Sequence, residues 1–215
     1  MMARSLALGA LLLALGGCAA TEYRGYEDRS AAEGALAGRQ VFYKVETSFY
    51  DRPPDCVVVL APSGPSEAAG LLEEALARHL AGRVARVIGP LERRRAERGL
   101  AIDLAAESGR RHYASASGCP TFLRARITDT GSDSALVWSG RRFGAELELV
   151  RAPGDVMLWQ ASHTASRADG GVPLSPLSLP VSIFSALRFG QDGDQFPSMV
   201  DDTVRRMVVT LPDMR

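Results

Sequence analysis

The stretch Cys56-Val57-Val58-Val59-Leu60-Ala61 decides the fold of this chain. It is a continuous apolar run rich in β-branched residues, which predicts a strand buried on both faces, as in a sheet covered by helices. Two prolines at 53–54 precede the run, and Pro62-Ser63-Gly64-Pro65 ends it. We therefore expect a central strand of an α/β sheet at this point.

Strands and helices alternate after this run. A helix starting near Ser66 and stopped by Gly82 carries one apolar stripe, formed by Ala68, Leu72, Ala75, Leu76 and Leu80. The next predicted elements are a strand at 84–88, a basic helix at 91–99, a helical stretch from about 102 to 113 and a strand at 121–128. A β-α-β-α-β order of this kind predicts parallel strands.

The pattern then changes to a period of two. The apolar positions 143, 145, 147 and 149 alternate with Glu146 and Glu148, and the segment 156–164 returns after a turn. This predicts an antiparallel hairpin with one wetter face. Beyond it, apolar residues recur at helical spacing from Val200 to Leu211, after a capping-box-like start at Ser198 and Asp201. The predicted fold class is α/β, with a mixed β-sheet, helices packed on its faces and a C-terminal helix.

The N-terminal segment has the layout of a secretory signal. Arg4 is followed by an apolar stretch from Leu6 to Leu15 and then by Gly16-Gly17-Cys18. The apolar stretch is too short for a membrane-spanning helix, which needs about 20 residues. One interpretation is an ordinary signal peptide with a chance cysteine. The other is that the motif resembles the lipobox of bacterial lipoproteins.

The lipobox resemblance implies cleavage before Cys18 and acylation of that cysteine. Because the next residue is Ala19 rather than Asp, similarity to known sorting rules implies the periplasmic face of the outer membrane. The expected organisation is a signal peptide at 1–17, a lipidated tether at 18–40 and a single α/β domain at 41–215. The segment 41–49 alternates weakly and is expected to form an edge strand.

The composition is that of an ordinary globular protein with balanced charge. Twenty-five basic residues face 25 acidic ones, 46% of the residues are hydrophobic and 23% are charged. A nearly neutral chain offers no strong field to nucleic acid, so no nucleic-acid partner is expected. The three histidines are isolated, and no nucleophile elbow, phosphate loop or paired-cysteine motif occurs. We therefore expect no catalytic residues, no metal, no cofactor and a non-enzymatic role.

The order of elements resembles the family of lipoproteins related to CsgG, PelC and the N-terminal domain of TolB. The similarity covers roughly residues 41–212, and the third strand departs from it by opening with Cys-Pro. Four motifs carry the similarity: Val57-Val58-Val59-Leu60-Ala61-Pro62, Glu97-Arg98-Gly99-Leu100, Ser117-Gly118-Cys119 and Leu158-Trp159.

This resemblance implies an outer-membrane lipoprotein that forms a homo-oligomer. Such an assembly would work with envelope export proteins, as part of a system for polysaccharide or protein secretion. The alternative is a monomeric accessory lipoprotein that binds a glycan, a lipid or a protein.

Three sets of residues are candidate sites. The basic cluster Arg93, Arg94, Arg95 and Arg98 is either a solvated helix face or a patch for anionic glycan or lipid headgroups. The short apolar set Ile183, Phe184 and Leu187 is expected at a subunit or partner contact. Cys56 and Cys119 each stand at the entry of a predicted parallel strand, so they either form a disulfide or remain two buried thiols.

Overall fold

A computed structural model describes residues 20–31, 37–135, 138–170 and 194–214. Seven strands form one mixed sheet in the order β1-β2-β7-β6-β5-β3-β4, which confirms the predicted fold class. The strands are β1 Glu22–Gly25, β2 Gln40–Val45, β3 Cys56–Val59, β4 Arg86–Ile88, β5 Thr121–Ala135, β6 Trp138–Arg151 and β7 Val156–Gly170. The helices are α1 Thr47–Asp51, α2 Ser66–Leu80, α3 Pro90–Leu100, α4 Glu107–Ser117 and α5 Gln195–Val208, with 3-10 turns at Tyr26–Ala31 and Ala37–Arg39.

The parallel part of the sheet is built around β3, as the sequence predicts. β3 pairs in parallel with β4 on one side and with β5 on the other, where Val58 lies opposite Phe122. All four residues of β3 are buried. Such burial on both faces explains why the run 56–61 contains no polar side chain.

Helices α2 and α5 cover one face of the sheet. The predicted apolar stripe of α2 is buried, and it shares one core with Val57, Val59 and the inward residues of α5. The predicted stripe of the C-terminal helix is buried as well, from Val200 to Leu211. Trp159 lies in the same core, and its indole Nε1 donates to Thr210 Oγ1 at 3.1 Å.

Helices α3 and α4 cover part of the opposite face. Val58, Leu60, Ile88, Leu104 and Tyr113 form a second, smaller core there. Between the helices, a Cβ on residue 109 would lie only 1.9 Å from the carbonyl oxygen of Asp103, so only glycine fits there. Helix α4 starts at Glu107, whereas the sequence pattern predicted helix from about 102. Residues 103–106 form a turn instead, in which Ala105 N–H donates to Asp103 Oδ1 and Ala106 N–H donates to the carbonyl oxygen of Asp103.

Several predicted boundaries are corrected by strand pairing. The edge strand predicted at 41–49 is only partly confirmed: β2 ends at Val45, and residues 47–49 belong to α1. β2 also lies second from the edge, because β1 pairs with it in parallel. Residues 22–25 were expected to belong to a tether, but they form the edge strand. The C-terminal helix begins at Gln195, so Ser198 and Asp201 do not form its start.

Candidate functional site

The edge of the sheet next to the N-terminal segment is the candidate functional site. All four residues of β1 are exposed, so packing contributes little to holding this strand. Its contacts are polar and aromatic: Gln40 Nε2 donates to Glu22 Oε2 at 3.0 Å, and the rings of Tyr23 and Tyr43 meet edge to face at 6.4 Å. Parallel pairing with β2 completes the attachment.

A contact from the C-terminal helix fixes the chain just before β1. Arg206 Nη1 donates to Thr21 Oγ1 at 2.9 Å, and Arg206 Nε donates to Asp202 at 2.7 Å. Burial opposes ionisation of Asp202, but a hydrogen bond from Arg205 and the charge of Arg206 outweigh it and lower the pKa of this carboxyl. Asp202 therefore stays charged at neutral pH and orients Arg206 toward Thr21.

Cys18 lies outside the described residues, but covalent geometry limits its distance from the body. Thr21 follows Cys18 by three residues. A fully extended chain spans at most about 3.3–3.6 Å per residue, so Cys18 lies within roughly 10–11 Å of Thr21. An anchor on Cys18 would therefore bring this end of the sheet close to the surface that holds it.

Three long strands project from the same end of the sheet. We call the arm the part formed by residues 128–135, 138–144 and 164–170. In β2, Val41 lies opposite His163 of β7, whereas β7 continues seven residues further to Gly170. At about 3.3 Å per residue the arm extends roughly 20 Å beyond the start of β2. Because β1 and β2 are parallel, the arm leaves the sheet on the side from which β1 enters it.

The face of the sheet that α3 and α4 leave uncovered carries paired charges. Arg124 of β5 lies opposite Glu148 of β6, with 2.8 Å between their charged groups. Two residues further along β5, Arg126 pairs with Glu146. Glu146 also accepts a hydrogen bond from Arg29. These pairs largely neutralise one another, so this face presents no strong net charge.

A polar cleft lies at the carboxyl end of β3, beside this charged face. It has a volume of about 430 Å³ and is lined by Arg93, Arg110 and Arg124 together with Glu97 and Asp103. Arg110 is buried and donates to both carboxylate oxygens of Asp155 and to the carbonyls of Leu104 and Ala105. Crevices at the carboxyl ends of strands are a common place for ligands in open α/β sheets.

The predicted basic cluster does not form one surface. Arg93 is 6% exposed and makes 2.8 Å contacts with Glu73 of α2 and with Glu97. Arg94, Arg95 and Arg98 are exposed. The predicted anionic-ligand patch is thus corrected: its first member is part of a buried ion pair, and only the other three face solvent.

The two remaining cysteines lie together at the opposite end of the sheet from the arm. Cys56 and Cys119 stand at the amino ends of neighbouring parallel strands, with 5.5 Å between their Cα atoms and 2.02 Å between their sulfurs. Strand pairing brings them to the same edge, as the sequence argument expected. The other candidate residues, Ile183, Phe184 and Leu187, lie outside the described residues.

The three histidines lie in separate surroundings. His79 Nε2 lies 2.8 Å from Asp201, His112 is exposed on α4, and His163 is buried inside the sheet. Among the described residues, no group of three His, Cys, Asp or Glu side chains is placed to hold a metal ion. Within the same residues, no helix is long and apolar enough to cross a membrane.

The contact that matters most at this site was not predicted. Asp202 and Arg206 are four residues apart, a spacing that favours an ion pair on a helix, and the structure contains this pair. The sequence pattern gave no sign that Arg206 also reaches Thr21, because the two residues are 185 positions apart. Asp201 and Arg205 have the same spacing, but Asp201 accepts from Arg78 and lies against His79 instead.

Comparison with known proteins gives distant structural similarities. No family model and no curated protein sequence matches the chain. The PelC dodecamer from Paraburkholderia phytofirmans is similar at 12% identity and a TM-score of 0.42, over 80% of this chain and 98% of that one. Lipoprotein GNA1162 from Neisseria meningitidis is similar at 17% identity and a TM-score of 0.43, over 66% and 100%. A putative lipoprotein from Caulobacter crescentus reaches 14% identity and a TM-score of 0.40, over 72% and 86%. Scores below 0.5 do not establish a common fold.

Proposed function

We propose that this chain is a lipid-anchored, non-enzymatic protein of the bacterial envelope, acylated at Cys18. The observation that carries the proposal is the attachment of the chain to its folded body at Thr21, three residues after the lipobox cysteine. A longer free tether would let the body move away from the membrane, whereas this short one holds it at the surface. Several buried acyl chains give firm anchoring, since a single chain binds only marginally.

The proposed location is the periplasmic face of the outer membrane. Ala19 supports sorting to that membrane, by the resemblance described above. The paired positions of Cys56 and Cys119 are compatible with an oxidising compartment such as the periplasm.

The proposed role is that of a homo-oligomeric component of an envelope export or assembly system. The resemblance in the order of motifs supports this role. The sheet also ends in two short strands, β1 and β4, whose outer edges lack a partner strand within the described residues. Open strand edges can pair with a neighbouring chain.

Changing the lipobox cysteine tests the anchor. Cys18→Ser is expected to leave uncut precursor or to release the protein from the membrane fraction. Fractionation of cells with immunodetection, alongside intact-mass analysis of the wild-type N-terminus, provides the measurement. Processed Cys18→Ser protein that still sediments with outer membranes would refute the anchor.

A monomeric accessory lipoprotein is the second candidate function. The arginine-lined cleft of about 430 Å³ favours it, since it could hold a polar ligand. Light scattering of residues 19–215, and of the lipidated protein in detergent, distinguishes the two candidates. A particle of one-chain mass in both preparations would refute the oligomer and favour the binding module.

A further inference from the structure

A second cavity lies at the base of the arm and has no part in the function proposed above. Its volume is about 450 Å³, and it is bounded by the arm on one side and by the first turns of α2 and α5 on the other. We call it the arm groove. Its lining includes Thr130, Ser132, Arg141 and Phe196, and Glu67 is its acidic member.

Two arginines lie side by side next to this groove. Arg141 of β6 is directly opposite Arg167 of β7 in the register, so both side chains project from the same face of the arm. Arg167 is exposed and donates to Ser198 Oγ at 3.4 Å. Within the described residues, no hydrogen bond or ion pair engages Arg141. The neighbouring Arg142 differs, because it pairs with Asp129.

A pair of like charges directly across two strands destabilises a sheet. Elsewhere in the same sheet, opposing positions hold opposite charges, as Arg124 and Glu148 do. The Arg141–Arg167 pair departs from this pattern, at the rim of a cavity. An anion bound between the two guanidinium groups would remove the repulsion, and phosphate suits the forked donors of arginine.

The position of the groove selects the source of the phosphate. This step rests on the proposed anchor at Cys18. Cys18 lies within roughly 10–11 Å of Thr21, and the arm extends roughly 20 Å in the direction from which the anchored segment enters. With that anchor the arm would reach the plane of the lipid headgroups. Arg141 and Arg167 lie about three residues, or roughly 10 Å, beyond the start of β2 in the same direction.

We infer that the arm groove binds the phosphate of an anionic lipid headgroup, with Arg141 and Arg167 as the two principal ligands. Binding would add a second, non-covalent attachment to the membrane and would fix the rotation of the body about its anchor. A membrane with anionic lipids presents many phosphate groups at its surface, so two adjacent arginines can engage one of them without an enclosed pocket.

Vesicle binding by the unacylated protein tests this inference. Residues 19–215 contain every described residue, and their binding cannot come from acyl chains. The soluble protein is expected to co-sediment with vesicles of phosphatidylglycerol and phosphatidylcholine, but not with phosphatidylcholine alone, and to be released by salt. Arg141→Gln with Arg167→Gln should abolish the co-sedimentation.

The matched control is Arg95→Gln with Arg98→Gln, which removes the same charge from exposed positions of α3. It should retain vesicle binding. The Arg141/Arg167 double variant should also melt no lower than the wild type without vesicles, because it relieves a repulsion. Equal loss in both double variants, unchanged binding in the Arg141/Arg167 variant, or no binding by the wild type would overturn the inference.

Two further measurements keep the test decisive. If the double variant fails to fold, Arg167→Gln alone, at an exposed position, should still weaken binding. Titration calorimetry with inorganic phosphate separates a lipid from a free anion: phosphate binding without vesicle binding would overturn the lipid assignment. Acylation of Cys18 is tested separately by the fractionation experiment, so the two proposals can fail independently.

Discussion

Arg93 shows how one side chain in a uniform basic run can have a separate role. Its guanidinium is buried between Glu73 and Glu97, whereas Arg94 on the next position is exposed. Removing one partner of a buried ion pair leaves the other charge without compensation, which costs about 3–5 kcal/mol. A solvated charge has no such effect.

We therefore expect Arg93→Ala to lower the free energy of unfolding by about 3–5 kcal/mol. Arg95→Ala, at an exposed position of the same helix, is the matched control and should change it by less than about 0.5 kcal/mol, as is usual for surface positions. Urea unfolding of both variants provides the measurement. Similar values for the two would show that Arg93 is as solvated as its neighbours.

The sequence could not distinguish these arginines. Helix α3 contains little apolar surface to mark its inward face, and the main partner of Arg93 is Glu73, twenty residues away on another helix. A buried charge is specified by its partner, and the partner is known only once the helices are placed.

His163 makes stability depend on pH. Its Nδ1 lies 2.7 Å from the carbonyl oxygen of Gln40 and must carry a proton to donate to it. Its Nε2 is buried with no hydrogen-bond partner among the described residues. Burial is the main cause that lowers the pKa of His163, with a smaller contribution from Arg206 and opposition from the Gln40 bond and Asp202.

The folded state therefore binds a proton at His163 less readily than the unfolded chain does. The contribution of His163 to the free energy of unfolding is fully present above the unfolded-state pKa of about 6.5. This contribution is lost as the pH falls below that value. Thermal melts at pH 7.5 and pH 5 should show a smaller acid-induced drop for His163→Gln than for wild type. The exposed His112→Gln serves as control and should keep the full drop; an identical pH dependence of all three proteins would contradict the assignment.

At the scale of elements, some strands can be predicted from their sequence pattern and others cannot. β3 was predicted because burial on both faces demands an apolar run. The outer halves of β5, β6 and β7 were missed because they form the arm, where residues such as Thr128–Ser132 are polar on both faces and show no alternation. Pairing with a neighbouring strand, rather than burial, makes these segments extended.

The proposed disulfide between β3 and β5 belongs to this scale as well. Cys56 and Cys119 are separated by 63 positions. Closing a loop of that length should stabilise the fold by about 4 kcal/mol in the chain-entropy model. Intact-mass analysis after alkylation, with and without reductant, should show two protected thiols in the unreduced protein, and reduction should lower the melting temperature. Two freely alkylated thiols in unreduced, denatured protein would exclude the bridge.

At the scale of the whole molecule, the arm and the cysteine pair lie at opposite ends of the sheet. If Cys18 is anchored as proposed, the arm end would be proximal to the membrane and the Cys56–Cys119 end would be distal. The sequence could not provide this polarity, since it depends on β1, a strand of four exposed residues with no apolar pattern.

Single labels at the two ends test this orientation. A fluorophore on Ser132→Cys, in the arm, should lose intensity in vesicles that carry nitroxide headgroups, when the lipidated protein is reconstituted. Ala85 is exposed just before β4, at the other end of the sheet. A fluorophore on Ala85→Cys should therefore keep its intensity. Equal quenching at both positions would mean that the body lies flat or tumbles on its anchor.

The hydrogen bond between Thr21 and Arg206 also has a consequence for the order in which parts of the protein fold. It joins residues 185 positions apart, so it forms only after α5 has been synthesised and has packed against the sheet. A cysteine acylated on export would be carried at first by a long unfolded segment, and contacts of such high sequence separation form late. With the proposed lipid on Cys18, the distance between the lipid and the body would thus depend on the completion of folding, and a misfolded chain would remain anchored without being drawn to the surface.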